Sequence, residues 1–140
     1  MWVGLPRALA ARVELATEAL VAEEAGHVDT ARRALVGYSL GAFAAMNVLA
    51  ERPAVYSRLM LVNAAISPSK LQLTRAGIAR VALVAGERDA SATGMKATAA
   101  ALTEAGLEVR FYALPATGHY FDPTTEEKLA EPMTWLLEGL

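Results

Sequence analysis

Two kinds of hydrophobic pattern run along the chain, namely helical spacing and short unbroken apolar runs. The first pattern occupies the N-terminal region, where Pro6 suits a first helical turn and Gly26 suits a helix end. Apolar residues recur there at intervals of three and four positions, at Leu5, Leu9, Val13, Ala16 and Leu20. This spacing predicts a helix with one apolar face and places Glu14, Glu18 and Glu24 mostly elsewhere.

The second pattern, short apolar runs, predicts buried strands separated by helices. The strands are expected at residues 33–38, 58–62, 81–85 and 109–113. Helices are expected at residues 41–51 and 93–105, around Leu71, and from Thr124, where Glu127 completes a capping-box pattern and Pro132 should kink or restart the helix. Such alternation implies parallel strands joined by helical crossovers. We therefore expect an α/β fold in one domain over residues 1–140, with a mostly parallel sheet of about four strands and flanking helices.

Composition narrows the possible classes of protein. Hydrophobic residues make up 54% of the 140 residues and charged residues 20%, which favours a packed core over disorder. The net charge is −2 and the sequence has no basic stripe, so we expect no nucleic-acid partner. No apolar window reaches the roughly 18 residues of a membrane span, and residues 1–7 lack the apolar stretch of a signal peptide. The absence of cysteine excludes disulfides and thiolate metal sites and fits a cytoplasmic location.

A candidate nucleophile lies where the first predicted strand meets the following helix. Residues 37–41 read Gly-Tyr-Ser-Leu-Gly, a G-x-S-x-G pattern in the strand-to-helix setting that this motif requires. The chain must turn sharply at Ser39, which strains the backbone and makes the hydroxyl project. We expect a Cβ at Gly37 or Gly41 to clash, because strand and helix approach closely there. The Leu40 N–H would lie at a helix N-terminus and could donate to an oxyanion; in the alternative interpretation, Ser39 only caps the helix.

A serine hydroxyl needs a base to accept its proton, and the sequence offers two histidines. His119 follows the fourth predicted strand, so it should lie with Ser39 at the carboxyl edge of a parallel sheet, where ligand sites gather. His27 precedes the first strand and is expected at the opposite end of the sheet, as a surface residue. His119 is therefore the candidate base, against the alternative of a plain loop histidine.

The acid that orients such a histidine should also follow a strand. Asp89 follows the third predicted strand and is the first candidate, with Glu87 in reserve. The alternative for Asp89 is a capping role at the next helix. Asn63 ends the second strand but cannot supply a charge, and Asp122 is expected to cap the turn at Pro123.

Aromatic residues flank the candidate serine and histidine. Tyr38 precedes Ser39, and Tyr120 and Phe121 follow His119. These three aromatic side chains are candidate walls of a substrate pocket, although core packing is the more common fate of such residues.

The order Ser, Asp, His, with each residue after a successive strand, resembles the α/β-hydrolase superfamily. Residues 33–41 resemble its nucleophile elbow, residues 81–89 its acid strand and turn, and residues 114–119 its histidine loop. The resemblance covers most of the chain. Within the superfamily, these segments are similar to dienelactone-hydrolase-like and prolyl-oligopeptidase-like esterases. It implies a serine hydrolase that cleaves a small carboxylic ester through an acyl-enzyme. Ser39 would be the nucleophile, His119 the base and Asp89 the acid, with no metal or cofactor required.

The chain departs from the family pattern because only one predicted helix precedes the elbow. Family members have further strands there, so the resemblance implies a truncated fold without the loop that supplies the second oxyanion donor. Loss of one such donor costs about 2.7–4 kcal/mol of transition-state stabilisation. The elbow strand would also lie at a sheet edge, and an apolar edge invites pairing with another chain. We therefore expect a homodimer. A weak or inactive module for self-association or partner binding is the alternative function, and a peptidase or acyltransferase also stays open.

Overall fold

The computed structural model describes residues 5–24 and 26–140 of the chain. Outside this description lie residues 1–4 and 25 and the side chains of Leu5, Pro6, Arg7 and Leu9. Residues 1–7 are predicted to lack a signal peptide, and the first four of them lie outside the described residues. The side chains of Leu5 and Leu9, two positions of the predicted apolar face, lie outside them as well. Within the described part, five helices alternate with four strands.

The centre of the fold is a parallel sheet. Its strands are β1 (Ala34–Tyr38), β2 (Arg58–Val62), β3 (Arg80–Gly86) and β4 (Glu108–Leu114), in the order β1-β2-β3-β4. Every neighbouring pair is parallel, and Tyr38 lies opposite Val62, which in turn lies opposite Val84. The carboxyl ends of all four strands therefore meet at one edge of the sheet. The predicted α/β fold with a parallel four-stranded sheet is confirmed.

Helices cover both faces of the sheet. They are α1 (Leu5–Glu23), α2 (Leu40–Glu51), α3 (Lys70–Arg75), α4 (Ala92–Glu104) and α5 (Pro123–Leu137). α2 and α4 pack on one face, and α1 packs against α2. α5 packs on the other face, where Trp135 and Leu136 are buried against the inner strands. No helix among the described residues combines the length and the apolar content needed to cross a bilayer.

The buried face of α1 differs from the apolar face predicted by its spacing. Ala10 and Glu14 are buried, whereas Leu20 is 56% exposed. The Tyr56 hydroxyl donates a 2.8 Å hydrogen bond to the Glu14 carboxylate. Burial, together with this carboxylate, raises the pKa of Tyr56 to about 12. Val13 packs against the core as predicted, but the prediction was wrong for Ala16 and Leu20, which are exposed. Apolar spacing does not register the buried hydrogen bond that helps to decide which side of α1 points inward.

The start of α5 also differs from the prediction. Asp122, not Thr124, is the N-cap: its carboxylate accepts a hydrogen bond from the Thr125 N–H at 3.0 Å, and Pro123 occupies the first helical turn. The Thr125 hydroxyl accepts a hydrogen bond from the Asp122 N–H, which completes a capping box two residues earlier than expected. The helix continues through Pro132 rather than restarting there. A proline removes one bond of the helical ladder, and packing of the last turns on the sheet offsets that loss.

Candidate active site

The candidate nucleophile lies in a strained turn between β1 and α2. Ser39 has φ 51° and ψ −117°, a conformation that L-residues rarely adopt, and its N–H donates to the Val62 carbonyl at 2.8 Å. A Cβ at Gly37 would lie 2.6 Å from the Ala42 Cα, so glycine is required there. A Cβ at Gly41 would meet nothing within 4 Å. The predicted clash at Gly41 is therefore wrong, because this position in the first turn of α2 faces open space.

Three side chains that are distant in sequence meet at the carboxyl edge of the sheet. Ser39 Oγ lies 2.7 Å from His119 Nε2, and His119 Nδ1 lies 2.5 Å from Asp89 Oδ2. With Asp89 ionised, the Nδ1–H donates to the carboxylate and Nε2 is left free to accept the serine proton. The arrangement can therefore activate the Ser39 hydroxyl as a nucleophile by removing its proton during attack.

Asp89 is held by Ser91 on the side away from His119. Asp89 Oδ1 accepts hydrogen bonds from the Ser91 N–H at 2.7 Å and from the Ser91 hydroxyl at 2.5 Å. The Asp89 side chain is 2% exposed, and burial alone would raise its pKa. The hydrogen bonds from Ser91 and His119 outweigh burial and hold the pKa of Asp89 below its ordinary value. Asp89 is thus ionised at neutral pH, and Ser91 rather than Asp89 is the N-cap of α4.

Leu40 opens α2 directly after Ser39. Its N–H belongs to the first helical turn and therefore has no acceptor within the helix. The positive end of the helix dipole favours negative charge at this point. The turn thus presents a backbone donor at the positive end of α2.

Aromatic rings lie along one side of the site. The Tyr38 ring centroid is 6.0 Å from that of His119 and 5.7 Å from that of Phe121, which it meets edge-on. Phe121 is exposed and Tyr38 is half-buried. Tyr120 is turned back toward its own loop, where its hydroxyl donates to the Ala116 carbonyl at 3.2 Å. Tyr38 and Phe121 therefore form an open apolar wall, and Tyr120 braces the loop that carries His119.

Other residues considered from the sequence lie outside this arrangement. His27 is exposed in the turn that precedes β1. The Glu87 carboxylate accepts a hydrogen bond from the Ala116 N–H at 3.1 Å, so it secures the histidine loop. Asp122 caps α5, and its pKa is lowered chiefly by the hydrogen bond from the Thr124 hydroxyl. Across the described part of the chain, no group of three His, Cys, Asp or Glu residues is placed to hold a metal ion.

The sequence did not predict the roles of Gly86 and Asn63, which contact the loops that carry the site residues. A Cβ at Gly86 would lie 2.3 Å from the Thr117 carbonyl oxygen, so only glycine lets the histidine loop approach β3 this closely. Asn63 is fully buried at the end of β2 and is hydrogen-bonded to neighbouring parts of the site. The usable signals were a glycine that ends a buried strand and a polar residue that follows one.

A parallel sheet between helices, with a serine in a sharp turn at the carboxyl end of a strand, is the architecture of the α/β hydrolases. Esterase PE8 superposes on this chain with a TM-score of 0.60 at 19% identity, over 91% of this chain and 62% of that chain. SOBER1 of Arabidopsis thaliana gives a TM-score of 0.60 at 17% identity, over 91% and 60% of the two chains. ATU1826 of Agrobacterium tumefaciens, a putative α/β hydrolase, gives 0.56 at 22% identity, over 86% and 56%.

These likenesses establish the fold of the chain. It is an α/β-hydrolase fold that spans between 56% and 62% of the length of these solved structures. The fold implied by the sequence resemblance is therefore confirmed. No protein-family model and no curated protein sequence matches the chain.

Proposed function

We propose that the chain is a serine hydrolase that cleaves small carboxylic esters through an acyl-enzyme. The observation that carries the proposal is the continuous contact from Ser39 Oγ to His119 Nε2 at 2.7 Å and from His119 Nδ1 to Asp89 Oδ2 at 2.5 Å. A hydroxyl, an imidazole and a buried carboxylate in this order are the components of base-assisted acyl transfer. An esterase is among the solved structures that share the fold, which supports the same class of reaction.

The reaction has two halves. In the first, Ser39 Oγ attacks the carbonyl carbon of the ester while its proton passes to His119 Nε2, and Asp89 stabilises the imidazolium. The tetrahedral intermediate then breaks its bond to the alcohol oxygen, which takes the proton from Nε2 and leaves as the free alcohol. In the second half, water gives a proton to His119 and its oxygen attacks the acyl carbon. Ser39 then departs with that proton, and the carboxylic acid is released.

The oxyanion formed in both halves accepts a hydrogen bond from the Leu40 N–H, at the positive end of α2. A second donor of this kind is worth about 2.7–4 kcal/mol, which corresponds to about 10²–10³ in rate. A site that relies on the Leu40 N–H without such a second donor is slower by that factor.

The substrate side of the proposal rests on the aromatic wall. Tyr38 and Phe121 present ring surface to an apolar group next to the reacting carbonyl. Tyr120 is turned back toward its own loop and is not part of this surface. Small esters with an apolar group beside the reacting carbonyl fit such a wall, and its openness sets no strict limit on acyl length.

A fluorophosphonate probe tests the proposal, because it reacts with a serine that a base activates and spares an inert one. The wild-type chain should be labelled at Ser39 and should hydrolyse p-nitrophenyl acetate. Ser39→Ala should lose both properties. Ser67→Ala removes a hydroxyl that is hydrogen-bonded to Thr98 outside the site, and this matched control should keep both. A wild-type chain that is never labelled, or turnover that persists in Ser39→Ala, would contradict the proposal.

Self-association is a second candidate function, favoured by the open edge of the sheet. β1 pairs with β2 on one side, and its other side has no strand partner among the described residues. Val36 on this strand is 45% exposed, beside an apolar groove of about 270 Å³ lined in part by Leu35, Ala45 and Val48. An unpaired apolar edge is a template for another strand. We propose that a second copy of the chain pairs with this edge to form a homodimer.

Light scattering at micromolar concentration tests the homodimer. The wild type should have twice the mass of one chain, and Val36→Lys should be monomeric because a charge on an edge strand opposes pairing. Leu71→Lys changes an exposed apolar residue of α3, away from the edge, and should leave the mass unchanged. A monodisperse wild-type monomer would contradict the homodimer.

A further inference from the structure

Asn63 links three parts of the candidate active site through its side-chain amide. The residue directly follows β2 and is fully buried. Its Oδ1 atom accepts a hydrogen bond from the Gly86 N–H at 2.8 Å. Its Nδ2 group donates to the Gly118 carbonyl at 3.2 Å and to the Tyr38 hydroxyl at 3.3 Å. These partners fix the orientation of the Asn63 amide, because the Gly86 N–H can only donate and the Gly118 carbonyl can only accept.

Each partner of this amide lies close in sequence to one of the three residues proposed to carry the reaction. Tyr38 directly precedes Ser39, Gly118 directly precedes His119, and Gly86 lies three residues before Asp89. We propose that Asn63 is a positioning residue that holds these three side chains in register. It acts through their neighbours and touches no reacting atom. The inference rests on the proposed hydrolase function.

The backbone at position 63 gives a second reason for asparagine. Asn63 has φ 48°, in the left-handed region that asparagine, aspartate and glycine adopt more readily than other residues. Its N–H donates to the Val84 carbonyl at 2.9 Å, so the chain is still fixed to β3 at this point. The side chain therefore extends from a fixed backbone into the space between β1, β3 and the histidine loop. Few other residues can satisfy both the conformation and the three hydrogen bonds.

Two variants separate the amide from the backbone conformation. Asn63→Gly keeps the left-handed conformation accessible and removes the whole amide. Asn63→Asp keeps an acceptor for the Gly86 N–H but, when ionised, cannot donate to the Gly118 carbonyl. Both variants should lower kcat per fluorophosphonate-titrated serine by about 10²-fold, the cost of misplacement by roughly 1 Å, while KM changes by less than about threefold. Tyr56→Phe removes a buried hydrogen bond outside the site and should lower Tm with kcat unchanged.

A second readout does not depend on turnover. The His119 Nδ1 proton, in its hydrogen bond to Asp89, should give a downfield NMR resonance that His119→Asn abolishes. Both Asn63 variants should shift or lose this resonance. The proposal is overturned if they keep the wild-type resonance and the wild-type kcat per labelled serine while Tm falls as in Tyr56→Phe. If the wild-type serine is never labelled, the hydrolase proposal fails, and the resonance alone decides whether Asn63 positions His119.

Discussion

The close approach of the histidine loop to β3 depends on the missing side chain of Gly86. In Gly86→Ala the new Cβ would lie 2.3 Å from the Thr117 carbonyl oxygen and 2.7 Å from its carbonyl carbon, both of which are backbone atoms. Because real Cβ contacts are essentially never shorter than 3.0 Å, the loop must withdraw by at least 0.7 Å. His119 lies two residues beyond Thr117 and would move with it, which lengthens its 2.7 Å contact to Ser39.

A displacement of this size has a calculable kinetic effect. Misplacement by 1 Å can cost about 10²-fold in rate, so Gly86→Ala should lower kcat/KM for p-nitrophenyl acetate by roughly 30- to 100-fold. Overpacking of the loop should also destabilise the fold by about 1–3 kcal/mol. The assay therefore belongs at a temperature where circular dichroism shows the variant fully folded.

Gly94→Ala is the matched control for this prediction. A Cβ at Gly94 would meet nothing within 4 Å, and the residue lies inside α4, where alanine is favoured over glycine by about 0.5–1 kcal/mol. The control should therefore be slightly more stable and fully active. A folded Gly86→Ala variant with activity within about threefold of the wild type would refute the argument that a shift approaching 1 Å disables the site.

Other substitutions and titrations test the surrounding contacts. Gly37→Ala should abolish fluorophosphonate labelling because its Cβ would lie 2.6 Å from the α2 backbone, whereas Gly41→Ala should keep it because its Cβ faces open space. Ser91→Ala should raise the pKa of Asp89, since it removes a hydrogen bond to the ionised carboxylate. The stability from this lowered pKa is present above the ordinary value of 3.8 and is lost as pH falls through the folded-state value. Acid unfolding, followed by circular dichroism, should therefore begin at higher pH in Ser91→Ala, and an unchanged midpoint would argue against the role of Ser91. Folding raises the pKa of Tyr56 from 10.0 to about 12, chiefly by burial, so its contribution is complete below pH 10 and is lost as pH rises toward 12. At about 1.36 kcal/mol per pH unit, the free energy of unfolding should fall by about 3 kcal/mol over this pH range. An alkaline titration of Tyr56→Phe should not show this fall.

The central strands could be predicted because both of their faces are buried. Residues 58–62 and 81–85 are continuous apolar runs, and they lie in the neighbouring strands β2 and β3. Alternation with helices predicted parallel pairing, and parallel pairing places strand ends at one edge of the sheet. That argument brings Ser39, Asp89 and His119 to the same edge. It cannot give the distances between them, because those depend on the conformations of the loops.

Prediction failed where the environment of a residue depends on a partner far along the chain. Glu14 was assigned to the polar side of α1, but Tyr56 hydrogen-bonds it in the interior. Asn63 was set aside as an acid because it carries no charge, although its amide has three hydrogen-bond partners. At Gly86 the determining contact is with the backbone of Thr117, which no local pattern reveals. In each case the deciding interaction is long-range and polar or steric, whereas apolar periodicity reports only local burial.

Two groups that support the proposed site are more deeply buried than Phe121 in the aromatic wall. Asp89 and the Asn63 amide are buried among the strand ends, whereas Phe121 in the wall is 61% exposed. A methylene in a closed apolar pocket is worth about 1–3 kcal/mol, and an open wall recovers only part of that. Acetate, butyrate and octanoate esters of p-nitrophenol should therefore differ by less than about tenfold in kcat/KM, and Phe121→Ala should change each by less than about threefold. A steep preference for one acyl length in steady-state assays would show a closed pocket and would contradict the open wall.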